Sequence, residues 1–417
     1  MWRVNFATFI GTALEWYDFF IYGAVAALVF NNVFFPNFDP NTGMLLAFGT
    51  FAIGFVARPV GAVLFGYYGD TVGRKNVLTA TMFTMGIATM VIGFLPGYQS
   101  IGIAAPVLLI MVRIVQGIGI GGEWGGAIIM SAEHGDPKQR GLHTSWTQIG
   151  VPAGNLLSFA VLTIVTSLMP NNEFVEWGWR IPFLLSALLV LVGLWIRWSL
   201  EESPVFETLR AEKRLTSSPI VELLKTHPKE LIIACFSRVG PDVMFYTITL
   251  FTLSYTTSKL GLPKHVALNA VLIGSALLLV LVPCFAALSD KVGRSAVFLT
   301  GAVGCALWIF AYFALLNTKD PMLVIVAVAV SMLLWSMMYG PIAAFITGLF
   351  PAHIRYSGTS LGIQLSGIFG GSLAPLISTE LNQRFNSTVA VGIYVSIAIA
   401  LSALAILASL RMPERTD

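Results

Sequence analysis

The sequence predicts an all-α membrane protein, with twelve transmembrane helices in two pseudo-symmetric six-helix halves. Three observations carry this. Of the 417 residues, 56% are hydrophobic and only 11% are charged, where a soluble domain carries roughly a quarter charged residues. The apolar residues fall into twelve runs, each close to the ~20 residues that cross a bilayer. A loop motif also recurs at corresponding places in the two halves.

The runs of the first half lie at 5–30, 44–66, 76–95, 103–130, 142–168 and 180–199. Those of the second lie at 230–256, 266–288, 295–316, 321–349, 357–380 and 388–411. Most connections are short, so neighbouring helices run antiparallel. The exception is rich in Glu, Lys and Arg. It divides the chain into a half at 1–200, a linker at 201–229 predicted as short helices, and a half at 230–417. The first run reads as a span rather than a cleavable signal, because it is long, holds Glu15 and Asp18, and has no small-residue cleavage site after it. Sixteen Lys and Arg fall on one side, including Arg74, Lys75, Lys138, Arg140, Lys291, Arg294 and Arg355. Five fall on the other: Arg180, Lys259, Lys264, Lys319 and Arg384. This bias places both termini and the linker in the cytoplasm. Trp177 and Trp179 are expected in an outer aromatic belt, Trp195 and Trp198 in an inner one. Cys235, Cys284 and Cys305 sit inside apolar runs as packing residues, and no His, Cys or Glu spacing suits a metal.

The repeat is GYYGDTVGRK at 66–75, answered by AALSDKVGRS at 286–295. Asp, Gly and Arg recur at one offset. A second echo pairs Arg140-Gly141 with Arg355 and Gly358. Two repeated halves suggest a secondary transporter with its site near the midplane. The first loop resembles the signature loop of the major facilitator superfamily. EWYDFFIYG, ARPVGAVLFG, RIVQGIGIGGEWGGA, EWGWRIPFLLS, LEESPVF and FPAHIRYSGTSLGIQ are similar, over the whole chain, to its metabolite:proton symporter branch.

The resemblance implies the major facilitator fold and a transporter rather than an enzyme. Protons are the implied coupling ion, with no other cofactor. The implied cargo is a small carboxylate such as shikimate or a dicarboxylate. A proline/betaine osmolyte symporter is the alternative, and a drug:proton antiporter comes third. The implied setting is a multi-pass monomer in the bacterial inner membrane, with no nucleic-acid partner. Only about six polar residues follow the last run, so the long C-terminal coiled coil of osmosensing members is not expected. A membrane-embedded enzyme or receptor would need a catalytic constellation or a sizeable soluble domain, and the sequence has neither.

The charges inside the spans are the candidate site, because a charge at bilayer depth is costly and marks a pathway. Asp18 lies about 20 Å along its helix, and Glu15 shares its face. Arg113 is about ten residues into the fourth helix. In the related sugar:proton symporters a first-helix Asp and a fourth-helix Arg form the proton switch, and Asp18 and Arg113 match those positions. Physically, an Asp beside an Arg stays ionised and takes a proton when the Arg turns away. A static pair that fixes helix packing is the competing reading. Glu15 either shares the proton or holds Arg58; Arg58 binds either a substrate carboxylate or a neighbouring acid. Glu123 points about 80° from Arg113 and reads as structural.

Arg238 and Asp242 are spaced to pair beside Pro241, where the helix loosens. Tyr17, Tyr22, Gln148, Tyr246 and Gln364, with Arg58, Arg113, Arg238 and Asp242, are the candidate substrate contacts. Asp70, Arg74, Glu133 and Arg140, and Asp290, Arg294 and Arg355, are the candidate gate residues. Gly117, Gly119 and Gly122 spell a dinucleotide fingerprint by letter, but inside an apolar helix. The spacing of Gly117, Gly121 and Gly125 predicts close helix packing, with Gly150 and Gly154 as expected partners.

Overall fold

A computed structural model describes residues 2–198, 202–212 and 218–411. Among these there are twelve long helical segments and no strand. The first half comprises α1 (Trp2–Val25), α2 (Pro40–Thr71), α3 (Arg74–Phe94), α4 (Ala104–His134), α5 (Arg140–Leu168) and α6 (Ile181–Trp198). The second comprises α7 (Pro228–Thr257), α8 (Lys264–Val292), α9 (Arg294–Asn317), α10 (Pro321–Gly348), α11 (Ala352–Phe385) and α12 (Thr388–Ser409). Ten are long and apolar enough to cross a membrane. Of the other two, α1 carries Glu15 and Asp18, and α6 belongs to a shorter apolar stretch, Gly178–Gly193. Between the halves, Pro204–Ala211 and Pro219–Thr226 form the short linker helices. The expected short tail at 412–417, and the charges at 213–217, lie outside the described residues.

Each repeated loop turns on a glycine. Gly73 has φ +136° and Gly293 has φ +107°, values that side-chain-bearing residues rarely adopt. These turns reverse the chain between α2 and α3, and between α8 and α9. Within the first half α2 packs on α4, α1 on α5 and α3 on α4; within the second α8 and α9 pack on α10, and α7 on α12. The halves meet where α2 touches α11 and α5 touches α8. Glycines make the tightest crossing: Gly61 lies against the Ile118 carbonyl, and Gly117 and Gly121 lie against the carbonyls of Gly54 and Arg58. Gly125 instead meets Ser360 of α11. Gly150 and Gly154 pack on Thr12, Ala13 and Trp16 of α1 rather than on α4, which corrects that expectation.

One apolar core runs through the second half and across the interface into Trp16, Phe19, Phe55 and Trp124. A second fills the end of the first half remote from the linker, around Tyr22, Phe30, Phe34, Trp179 and Phe183. Trp177 is exposed, but Trp179 is fully buried, so only the first suits an interfacial belt. The aromatic neighbours Phe30 and Phe183, both edge-on to Trp179, account for the difference. Ala286, which replaces the first glycine of the repeated loop, is fully buried.

Candidate substrate cavity and coupling site

A central cavity sits where the halves meet. Glu15, Trp16, Phe55, Arg58, Ile120, Trp124 and Val151 line it from the first half. Arg238, Asp242, Phe245, Tyr246, Trp335, Tyr339, Ile363, Gln364 and Gly367 line it from the second. The space enclosed is about 30 Å³, room for a water or two. The walls are therefore drawn together in this conformation.

Arg58 is delivered to the cavity by the close α2–α4 crossing. Pro59 follows it and cannot donate to the Phe55 carbonyl one turn back. Its guanidinium sits over Phe55 at 4.1 Å, Phe19 at 4.7 Å and Trp16 at 5.9 Å. Arg58 is 5% exposed, and its Nε has no hydrogen-bond partner. Among the described residues no carboxylate lies within ion-pair distance of it. Glu15 and Asp242 share the cavity lining with it. Arg238 differs. Its Nε donates to Asp242 Oδ1 at 3.1 Å, while its guanidinium lies 4.0 Å from the Trp124 ring across the interface. Asp242 also accepts from Ser366 at 3.1 Å. The Trp335 indole donates to the Pro241 carbonyl at 2.7 Å, holding the proline turn of α7 against α10.

The coupling candidates lie deeper in the first half. Asp18 is 1% exposed, and its Oδ1 has no partner. Arg113 is turned elsewhere: it donates to Gln116 Oε1 and to the Phe51 carbonyl at 3.3 Å. It stacks 3.8 Å from the Tyr22 ring, in space left by Gly54. The expected direct Asp18–Arg113 ion pair is therefore not formed in this state.

The linker side is closed by bonds that cross between halves. Asp70 accepts from the backbone N–H groups of Tyr356 at 3.2 Å and Ser357 at 2.9 Å, capping α11. Asp290 does the same for α5, accepting from Gly141 at 2.9 Å and Leu142 at 3.0 Å. A carboxylate at a helix N-terminus is favoured both by hydrogen bonding and by the helix dipole. Arg74 and Arg294 lie 3.8 and 3.9 Å from Asp70 and Asp290 in turn. Glu133 joins Arg74 and, from the other half, Arg355, each at 3.4 Å. Arg140 shares the recess of Glu133 and Arg355.

The Major Facilitator Superfamily profile matches residues 8–375, most of the chain. The chain belongs to the major facilitator superfamily. It is 39% identical over 411 residues to the inner membrane metabolite transport protein YhjE of Escherichia coli K12, covering 97% of this chain and 93% of that one. It is 38% identical to the shikimate transporter of the same organism, covering 92% and 88%. It is 33% identical to the proline/betaine transporter of Salmonella typhimurium, covering 90% and 76%. Among solved structures, the proton:xylose symporter XylE bound to 6-bromo-6-deoxy-D-glucose superposes with a TM-score of 0.79 at 17% identity, over 99% of this chain and 96% of that one. This major facilitator protein is thus a multi-pass membrane transporter with relatives in the bacterial inner membrane.

Of the substrate contacts expected from sequence, Arg58, Arg238, Asp242, Tyr246 and Gln364 line the cavity, together with Glu15. The other four do not, and each has a polar atom engaged elsewhere. Tyr17 donates to the Pro182 carbonyl at 2.9 Å. Tyr22 bonds Thr50 at 2.5 Å. Gln148 donates to the Tyr339 carbonyl. Arg113 is held by Gln116. Glu123 accepts from Thr81 at 2.6 Å, away from the cavity. Of the gate residues, Asp70, Asp290 and Glu133 each bond across the two halves. Sequence reasoning missed the aromatic walls, Trp16, Trp124, Trp335 and Tyr339, since aromatic residues are spread throughout the chain. It also missed Glu202, which accepts from the Arg74 backbone N–H at 3.0 Å and ties the linker to α3. Its place in LEESPVF was the available signal.

Proposed function

We propose that this transporter imports a small organic acid metabolite, such as shikimate or a dicarboxylate, together with protons, by alternating access of its two halves. Arg58 is the observation that carries the reading. It is a buried guanidinium in the inter-half cavity whose Nε has no partner, and a ligand carboxylate is the group that would complete it. Asp18 carries the proton. With Asp18 protonated and the anion on Arg58, the halves rock, the linker-side caps and ion pairs part, and both cargoes leave toward the cytoplasm. The linker side is the cytoplasmic side. The protein works as a monomer and needs no cofactor besides the coupling proton.

The test is ligand-induced thermal stabilisation of purified protein by shikimate, 2-oxoglutarate, an aromatic acid or betaine. Removing a charged partner from a buried pair costs about 2–5 kcal/mol. Arg58→Gln should therefore weaken binding of the preferred acid at least ~30-fold, with Arg58→Lys retaining part of it. Equal binding by Arg58→Gln and the parent would overturn the assignment.

One observation favours a second reading. Trp16, Trp124, Trp335 and Tyr339 wall the cavity beside Glu15 and Asp242, and aromatic faces with acids suit a quaternary ammonium. The proline/betaine relatives give it weight. Stabilisation by betaine alone would select it.

A further inference from the structure

Residues 352–357 gather linker-side contacts from both halves. The Ala352 carbonyl accepts from Arg74 Nη2 at 3.1 Å. Arg355 meets Glu133, and Asp70 caps Tyr356 and Ser357. His353, inside that run, has a different partner. Its Nε2 lies 2.6 Å from Oε1 of Glu222 on the second linker helix, Pro219–Thr226. The two side chains are 29% and 31% exposed, open enough to exchange protons with the solution.

The second linker helix is a strap across the seam. Pro219 and Leu223 are buried. The helix packs at once on α2 of the first half and on α7, α11 and the 352–354 turn of the second. A helix of eight residues does not hold itself in water, so its place depends on these contacts. Docked in this way, it touches both halves only while the linker side is closed.

We propose that His353 and Glu222 form a proton-operated latch, in which a proton on His353 docks the second linker helix across both halves and holds the linker side shut. Its physiological direction rests on the reading of proton-coupled import: protons delivered to the cytoplasm slow further delivery.

An imidazole ordinarily titrates at about 6.5. Neutral, it offers Glu222 an uncharged hydrogen bond at most. Protonated, it offers a charge-assisted one, roughly twice as strong. By linkage, a proton that strengthens a contact of the docked helix favours docking, so docking rises as pH falls. The sign is diagnostic. Asp70 and Glu133 hold the closed side as carboxylates, and protonating them would release it. The charged groups on the elements packed around the pair are Lys225 on the same helix and Glu207 and Arg210 on the first linker helix. Lys229 and Glu230 open α7, Arg355 opens α11 and Arg74 opens α3. Lysine, arginine and glutamate ordinarily keep one charge between about pH 6 and 8. The other linker-side imidazoles, His134, His143 and His227, bond Met130, Asn5 and Thr226.

The test uses the full-length protein without Cys235, Cys284 and Cys305, in nanodiscs and without substrate. Spin labels at Leu224→Cys on the strap and Gln139→Cys on the first half, both exposed, report docking. Going from about pH 8 to about pH 6 should raise the docked-to-undocked ratio about three- to fivefold, the size of a partly exposed ion pair. His353→Gln and Glu222→Gln should abolish the rise. His353→Arg should stay docked at both pH values, which a variant that merely loosens the linker would not do. Closure read at Gln139→Cys and Lys291→Cys should rise with docking. Asp18→Asn should leave all of this unchanged, so failure of the proton-carrier reading is seen separately. A docked population that is flat or falls on acidification, or that rises equally in His353→Gln, would overturn the latch. Docking that rises without closure would overturn its hold on the linker side.

Discussion

Replacing Glu133 by Gln should open the linker side. The Glu133 side chain is 1% exposed and links Arg74 of its own half to Arg355 of the other, each at 3.4 Å. Removing one charge from a buried group of this kind costs about 3–5 kcal/mol. Gln keeps the size and still accepts from Ser203, which bonds the Glu133 carboxylate, and the Asp70 and Asp290 caps remain. We therefore take ~2 kcal/mol as the part that falls on the closed state, a shift of about 30-fold in the closed-to-open ratio. The assay is a pulsed electron–electron distance measurement between spin labels at Gln139→Cys and Lys291→Cys, both exposed. The background lacks Cys235, Cys284 and Cys305. A protein mostly closed at the linker side should become mostly open in Glu133→Gln. Identical distance distributions in parent and variant, with both folded, would refute the gate assignment.

Three further outcomes are expected. Asp18→Asn should lose concentrative uptake in proteoliposomes while labelled exchange persists; continued accumulation against a gradient would remove Asp18 from the coupling step. Gly61→Ala should lower the melting temperature, because its methyl would meet the backbone carbonyl of Ile118 and overpacking costs about 1–3 kcal/mol. Gly49→Ala, with nothing within 4 Å of the added carbon, is the matched control and should leave the melting temperature unchanged or raise it, since Ala favours a helix interior over Gly. Asp70→Ala and Asp290→Ala should each weaken linker-side closure by about 0.5–2 kcal/mol, the range for a lost helix cap, read by the same spin-label pair.

The spans, the division at the linker and the repeated loops were legible because each depends on local pattern. Apolar run length sets a helix that crosses a bilayer, and Gly73 and Gly293 mark turns by their own backbone demands. Arg238–Asp242 was legible for the same reason, being one turn apart on one helix. Contacts between distant helices were not. The Asp18–Arg113 pairing could be anticipated as a relationship, but nothing in the spacing announces that Arg113 is held by Gln116 instead. Nor does a one-dimensional pattern reveal that the Tyr17 and Tyr22 hydroxyls and the Gln148 amide nitrogen are spent on other helices. The crossing of the gates follows from pseudo-symmetry: the two copies of a repeated loop sit on opposite halves, so each carboxylate meets the helix start of the other half.

The most direct test of the central claim is proton entry into weakly buffered proteoliposomes on separate addition of shikimate, 2-oxoglutarate, an aromatic acid and betaine. The account predicts internal acidification with an organic acid, abolished in Asp18→Asn. Labelled uptake of one of these compounds with no acidification would contradict it, and would mean facilitated diffusion or a different coupling ion.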